Sequence, residues 1–414
     1  MIEWSETQLA FRDMVRRFID VEVKPQLEAI EHQGEPPYAV LRKLIATFGL
    51  GELATAELHA SLEREKRALA DGTPKPERRR GPSPEAAERA ALQAILTTEL
   101  CRYSLGMVTA WGVSVGLTAG AIMSRGTLAQ KERFVPALLS MQNIGAWAIT
   151  EPDSGSDAFG SMKSTARRDG DHYVLNGSKT FITNGPYADT IIFICKLDDG
   201  RPAAERRILS FILDRGTAGL TAGKPLRKMG LHGSPTGELF LDDVRVPRDR
   251  LIGESEEAPR GAGAKDTFTA ERTGVAAMAL GIIEECLQLS LEYAQRRVQF
   301  GRPIAEFQLI QLKLANMEVA RMNVSNLVFR QVELAAAGRG SDLAEASACK
   351  LYSAQVAMQC ALEAVQLFGG NGYMAEYRVE QLCRDAKVLQ IYAGTDEIQV
   401  SQIARSLLAR HPVR

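Results

Sequence analysis

Cysteine and histidine are scarce, with six of the former and five of the latter in 414 residues. Neither set is arranged to hold a metal or a disulfide framework. Cys101, Cys195, Cys286, Cys349, Cys360 and Cys383 lie far apart and read as reduced core thiols in a reducing compartment. His32, His59, His172, His232 and His411 approach neither one another nor a cysteine, so no metal is expected. Charge of one sign is also missing: 50 Lys plus Arg stand against 51 Asp plus Glu, a formal net charge of -1. That balance offers no field to gather nucleic-acid phosphates or anionic lipid, so neither nucleic acid nor membrane is expected as a partner. The opening Met1-Ile2-Glu3-Trp4-Ser5 lacks a basic region followed by an apolar stretch, so no signal peptide is expected and a cytoplasmic location is. Tyr103 to Ser124 carries no charge over a length that could cross a bilayer. Gly106, Gly112, Gly116 and Gly120 and five Ser or Thr dilute its hydrophobicity, which favours a buried soluble helix.

What is present is ordinary globular material: 45% hydrophobic and 24% charged residues, in a chain long enough for two or three domains of roughly 100 to 200 residues each. Ser5 and Gln8 form a capping box ahead of Phe11, Met14, Val15, Phe18 and Ile19 at helical spacing. Helical character continues to about Leu139, interrupted by a charged stretch from Glu63 to Arg89. Pro74, Pro76, Pro82 and Pro84 flank Arg78-Arg79-Arg80 there, and the stretch reads as a solvated surface excursion. From about Trp147 the pattern turns to short β-rich runs. Tyr173 to Leu175 ends in Asn176-Gly177, a hairpin signal, and Thr180 to Thr183 follows. Thr190 to Cys195, Ile208 to Leu213 and Glu238 to Val246 continue the series. After a Gly-rich linker at Gly261 to Gly263, helices return. One, starting near Asp266, carries the stripe Val275, Met278, Ala279, Ile282, Ile283, Cys286 and Leu289 and stops at Gly301-Arg302-Pro303. A second runs from about Glu306, a third from Asp342 to Leu367, and a fourth ends the chain. The expected fold is therefore α+β and multidomain. It comprises an all-α N-terminal domain (residues 1–145, with the charged insertion at about 60–90), a central β-barrel or sandwich (146–260) and a C-terminal four-helix bundle (261–414).

Familiar nucleotide and hydrolase motifs fail. Gly369-Gly370-Asn371-Gly372 follows a helix and lacks the strand context of a dinucleotide fingerprint. Gly177-Ser178-Lys179-Thr180 is half a P-loop with no helix after it, and no G-x-S-x-G elbow occurs. There remains Ala148-Ile149-Thr150-Glu151-Pro152-Asp153-Ser154-Gly155-Ser156-Asp157. This run is a tight turn with side-chain hydrogen bonds, or equally a display of N–H groups and hydroxyls to a polar heterocycle or phosphate.

This run closely resembles the first signature of the acyl-CoA dehydrogenases. Gln366-Leu367-Phe368-Gly369-Gly370-Asn371-Gly372-Tyr373, with Glu376 and Arg384-Asp385-Ala386-Lys387, resembles the second, departing at Gln381 where the family usually has Arg. Arg297-Val298-Gln299-Phe300-Gly301 and Ile391-Tyr392-Ala393-Gly394-Thr395-Asp396-Glu397-Ile398-Gln399 are also family-like. The resemblance covers about Ile122 to Arg405, weakens over Met1 to Leu50 and is absent across the charged insertion. It implies FAD as cofactor, an acyl-CoA substrate, electron-transfer flavoprotein as acceptor and a homotetramer serving fatty acid metabolism. Thr150, Ser156, Phe181 and Thr183 would hold the flavin ring, Phe181 standing where many relatives place Trp. Arg297, Phe300, Gln308, Gln366, Gly369 and Gly370 would receive the adenosine and pyrophosphate across a subunit interface, and Thr395 and Glu397 would also face FAD. Arg297 suits phosphate because its guanidinium forks onto two oxygens.

Most relatives place the catalytic Glu directly after the Tyr of the last motif, and here that position is Ala393. A minority, including isovaleryl-CoA dehydrogenase, carries it on the first bundle helix, where this chain has Glu271-Arg272. The paired exchange implies that Glu271 removes the α-proton while a hydride leaves to the flavin. By itself a glutamate at 271 is more commonly a first-turn acid favoured by the helix dipole. Ser156, Arg272, Ala393 and Gly394 would face the substrate, the Ala393 N–H donating to the thioester oxygen. Two other readings stand beside this one. An oxidase or flavin monooxygenase on the same fold would reoxidise rapidly in air. A non-catalytic flavin-binding homologue is motivated by Ala393, Gln381 and His232, the last where relatives often carry Arg.

Overall fold

The Ser5 hydroxyl accepts the Gln8 N–H at 3.3 Å and the Gln8 side chain accepts the Ser5 N–H at 3.0 Å, the reciprocal cap its sequence spells. The computed structural model describes residues 3–73, 81–257 and 262–411. From this cap run α1 (Glu6–Phe18), α2 (Leu27–His32), α3 (Tyr38–Thr47), α4 (Leu50–Ala70), α5 (Pro84–Cys101), α6 (Leu105–Trp111), α7 (Gly120–Arg125) and α8 (Leu128–Leu139).

The charged stretch is not the excursion expected from Glu63. α4 continues to Ala70 with Leu58, Leu62 and Ala68 buried, and α5 begins at Pro84 behind a Ser83 cap. The charges pair along a helix face instead of solvating a loop: buried Lys131 meets Glu65 at 2.6 Å, and Lys66 bridges Glu63 and Glu132. Pro74, Pro76 and Arg78-Arg79-Arg80 lie outside the described residues. The uncharged stretch from Tyr103 is helical, α6 and α7 being joined by a π-helical segment at Gly112–Ala119. Leu105–Arg125 and Glu271–Arg296 are both long and apolar enough to cross a bilayer, yet 61% of each apolar window is buried inside the protein, as in core helices. Gly106 is one reason for that packing: a Cβ there would sit 2.8 Å from the Gly233 carbonyl carbon.

Seven strands form one curled sheet: β1 (Gly145–Ala148), β2 (Thr165–Asp169), β3 (His172–Thr183), β4 (Thr190–Leu197), β5 (Ile208–Asp214), β6 (Leu220–Ala222) and β7 (Thr236–Pro247). The order is β1-β4-β2-β3-β7-β6, with β5 on the other edge of β4. β4 is apolar throughout because both its faces are covered. Ile191, Phe193, Cys195 and Leu197 fill the core within the sheet, while Ile192 and Ile194 pack with Ile122, Phe134 and Leu138 of α7 and α8.

Asn176-Gly177 does not make the expected hairpin. β3 runs through it, and the chain reverses at Gly170-Asp171, where Asp169 faces His172. The dipeptide instead forms a bulge against β7, with a register shift between Leu175 and Gly177. Gly177 has φ +149° and abuts Ser164, and Asn176 exchanges hydrogen bonds with Asp243 at 2.9 and 2.8 Å. A bulge asks for a residue without a Cβ as a tight turn does, so the two signals coincide in sequence.

The C-terminal region comprises α9 (Ala262–Arg296), the two-residue strands β8 (Val298–Gln299) and β9 (Arg302–Pro303), α10 (Gln308–Ala336), α11 (Leu343–Phe368), α12 (Val379–Val388) and α13 (Asp396–Arg410). Two expectations change. α9 starts at Ala262, inside the anticipated linker, of which Gly261 lies outside the described residues. The closing helix is two helices, interrupted where Ala393 and Gly394 take φ +55° and +89°. α9 and α11 pack with α1, α5 and α6 in one continuous apolar core.

Candidate active site

The Thr150–Asp157 turn leaves β1 and is held from beneath by a buried ion pair. Lys179 Nζ donates to Glu151 Oε1 at 2.8 Å and to the Ile149 carbonyl at 3.0 Å. The Ser164 and Lys163 N–H groups donate to the same carboxylate at 2.9 and 2.6 Å. Burial alone would raise the Glu151 carboxyl, but the hydrogen bonds from Lys179, Ser164 and Lys163 hold it below its ordinary value. The Thr180 N–H donates to the Thr150 carbonyl at 2.9 Å, and the Ser154 hydroxyl to the Asp157 carbonyl at 2.7 Å. The turn is thus tight and hydrogen-bonded, with Ser156 exposed on it. In the sequence Lys179 stands out only within half a P-loop, and its pairing with Glu151 is not legible there. The available signal was a lone lysine among buried strand positions.

Further along β3 the register slips again between Lys179 and Ile182. Phe181 is pushed into the left-handed region at φ +56° and is 68% exposed. A large aromatic side chain held outward by an unfavourable backbone is a feature found at functional sites. Half-buried Thr183 follows, then buried Asn184. Its amide donates to the Ala110 and Gly145 carbonyls at 2.9 Å each and accepts from the Tyr38 hydroxyl at 3.0 Å. These bonds weld the strand end to α6 and β1.

A second group gathers where α9 passes the break between α12 and α13. Half-buried Glu271 is pushed up to about 7, because removal from water outweighs the opposing charges of Arg272 and Lys350. Arg272 Nε donates to the Ala393 carbonyl at 3.3 Å and its NH1 to the Ser347 hydroxyl at 3.0 Å. Lys350 Nζ donates to the Gly394 carbonyl at 2.9 Å. Gln399 Nε2 donates to the carbonyls of both Ala393 and Gly394, at 3.0 and 2.7 Å. Tyr392 points its hydroxyl at Met278 Sδ of α9, 3.4 Å away. The loop carrying position 393 is thus bonded to Arg272, the residue that follows position 271 on α9. Lys350 and Gln399 were not anticipated, since a buried lysine in a helix and a glutamine after a motif carry no signal in isolation.

A third group lies on the bundle surface around Tyr293. Tyr293 stacks on Phe368 at 4.1 Å, donates to its carbonyl at 3.3 Å and accepts from the Asn371 amide at 3.1 Å. Arg297 follows one turn later, and its side chain is exposed, as are those of Gln308 and Gln366. Phe300 is 94% exposed at φ +54°. A Cβ on Gly369 or Gly370 would meet nothing within 4 Å, which leaves their backbone open to a close-lying group. An exposed guanidinium, an outward aromatic and an open glycine pair suit a nucleotide's phosphates and base. Thr395 occupies the N-cap position of α13, and Glu397 is exposed in its first turn. Two of the departures from the family pattern are used structurally. His232 faces the Glu31 and Lys228 carbonyls at 2.6 and 3.1 Å, and Gln381 donates to the Tyr103 carbonyl at 3.0 Å.

Known proteins match along nearly the whole chain. The sequence models for the acyl-CoA dehydrogenase N-terminal, middle and C-terminal domains match residues 5–63 with 85–142, 146–244 and 261–408. The match therefore reaches the N-terminal helices, where the resemblance looked weak, and skips 64–84. An acyl-CoA dehydrogenase of Bacillus subtilis (strain 168) is 38% identical over 98% of both chains. A mitochondrial isovaleryl-CoA dehydrogenase of Arabidopsis thaliana is 33% identical over 98% of this chain and 92% of its own. The solved butyryl-CoA dehydrogenase of Megasphaera elsdenii superposes with a TM-score of 0.81 at 33% identity, covering 99% of this chain and all of that one.

Proposed function

The chain belongs to the acyl-CoA dehydrogenase family, FAD-dependent oxidoreductases acting on CH–CH donors, and from that premise we propose that Glu271 is the base that removes the α-proton of an acyl-CoA thioester. The observation that carries the reading is a carboxyl raised to about 7 by burial, placed on α9 next to Arg272, whose guanidinium bonds the Ala393 carbonyl. A carboxyl so poised can accept a proton near neutrality. The Ala393 N–H donates to the thioester oxygen, where charge develops as the α-proton leaves.

Thr150, Ser156, Phe181 and Thr183 hold the flavin ring in this reading. Arg297, Phe300, Gln308, Gln366, Gly369 and Gly370, with Thr395 and Glu397, hold the nucleotide end. FAD when bound supplies a hydride acceptor. The bundle-surface residues are exposed in a single chain, which supports a homotetramer in which they face a second subunit. Leu309, Leu312, Val319 and Met322 add an exposed apolar face to α10. The three family domains divide near residues 145 and 260, electrons pass to electron-transfer flavoprotein, and the six free thiols fit the reducing cytoplasm. The test is anaerobic flavin reduction across straight, branched, aromatic and steroid-side-chain acyl-CoAs. Bleaching by at least one supports a dehydrogenase, bleaching by none refutes it, and rapid reoxidation in air marks an oxidase.

A further inference from the structure

We propose, building on the reading above, that Lys350 and Gln399 are positioning residues for the substrate carbonyl, gripping the Ala393-Gly394 loop from behind so that the Ala393 N–H is aimed at the thioester oxygen. Both side chains are fully buried. Burying an ammonium is costly unless it is hydrogen-bonded, and Lys350 spends its charge on the Gly394 carbonyl at 2.9 Å and on Asp396 at 3.4 Å. Gln399 bridges the two consecutive carbonyls at 3.0 and 2.7 Å.

The loop needs such a grip because Ala393 and Gly394 both lie in the left-handed region, at φ +55° and +89°. Of the two only Ala393 carries a Cβ that is sterically strained there, so its backbone relaxes if released. Peptide groups are planar, so fixing the Ala393 and Gly394 carbonyls fixes the two planes after the Ala393 Cα. On the other side, Tyr392 is tied by its N–H to the Val388 carbonyl at 3.0 Å and by its hydroxyl to Met278. The Ala393 N–H lies between these anchors and finds no acceptor among the described residues. Gly394 closes the arrangement: a Cβ there would stand 2.8 Å from Gln399 Nε2.

The test compares FAD-loaded wild type, Lys350→Met and Gln399→Leu, using [1-13C]crotonyl-CoA and difference infrared spectroscopy. In wild type the labelled carbonyl band moves to lower frequency on binding, and in both variants it returns toward the free position. Flavin reduction by the best acyl-CoA of the panel slows by roughly 10 to 100-fold with KM little changed, short of the roughly 100 to 1,000-fold expected for loss of an oxyanion donor outright. Should Lys350→Met fail to retain FAD, Gln399→Leu, which leaves the buried ammonium its Asp396 partner, carries the test. A loop serving stability alone would shift the melting temperature and leave the carbonyl band in place. An unshifted wild-type band, or variants with the wild-type band and rate, overturns the proposal. A wild type that no acyl-CoA reduces overturns instead the function it rests on.

Discussion

Exchanging Glu271 for glutamine separates its two properties, a buried charge and a proton acceptor, and each gives a number. A carboxyl held at about 7 in place of the ordinary 4.5 costs the folded state roughly 3 kcal/mol once ionised, as an upper bound. The folded state keeps its proton up to about 7 whereas the unfolded chain releases it near 4.5, so this penalty is absent at low pH and grows as pH rises through that window. Glu271→Gln has no proton to lose. Its melting temperature should exceed that of the wild type at pH 8, with the gap closing toward pH 4.5. Chemistry should move the other way. Wild-type flavin reduction should rise through about pH 7 as the base ionises, and at pH 8 the variant should be slower by roughly 100 to 10,000-fold. Acyl-CoA should still bind and perturb the flavin spectrum. The reciprocal change, Glu271→Ala with Ala393→Glu, tests the neighbourhood of the two positions. Because Ala393 already sits at φ +55°, a glutamate there brings no new backbone penalty, and part of the rate should return. Stopped-flow reduction of Glu271→Gln at the wild-type rate would refute the assignment and leave Glu271 a helix-start acid.

Other expectations follow from the same geometry. Lys179→Met strands the buried Glu151 carboxylate and should cost about 3 to 5 kcal/mol by denaturant unfolding, with FAD retention falling, while Lys179→Met combined with Glu151→Leu should recover most of it. Since its surroundings hold Glu151 below its ordinary value, its stabilising contribution in the wild type should fade as pH falls through the acid range. Gly394→Ala forces a methyl into φ +89° and against Gln399; a loss of roughly 1 to 2 kcal/mol is expected, and an unchanged melting temperature would contradict the loop's description. Arg297→Ala should weaken FAD binding by about 1.5 to 3 kcal/mol in an equilibrium titration, and light scattering should give four chains per particle, a monomer with full FAD counting against the shared-site arrangement.

Composition, periodicity and caps determined where the helices and strands lie, because those signals are local: Ser5 with Gln8 caps α1, and the apolar run at Thr190 to Cys195 is β4. The linear motifs likewise carried the family and drew attention to Glu271 through the alanine at 393. The local signals failed where one chemistry serves two shapes. Asn176-Gly177 suits a hairpin and a bulge equally, and only pairing with β7 selects the bulge. The charges from Glu63 to Ala70 suit a solvated loop and a helix face equally, and only Lys131 and Glu132 of α8 select the helix. Tertiary structure alone decided the electrostatics of the site. Raising a carboxyl requires exclusion of water by side chains remote in sequence, and pinning Ala393 and Gly394 requires Arg272, Lys350 and Gln399 to converge from three helices. Such convergence is a property of packing, and no single stretch of sequence encodes it.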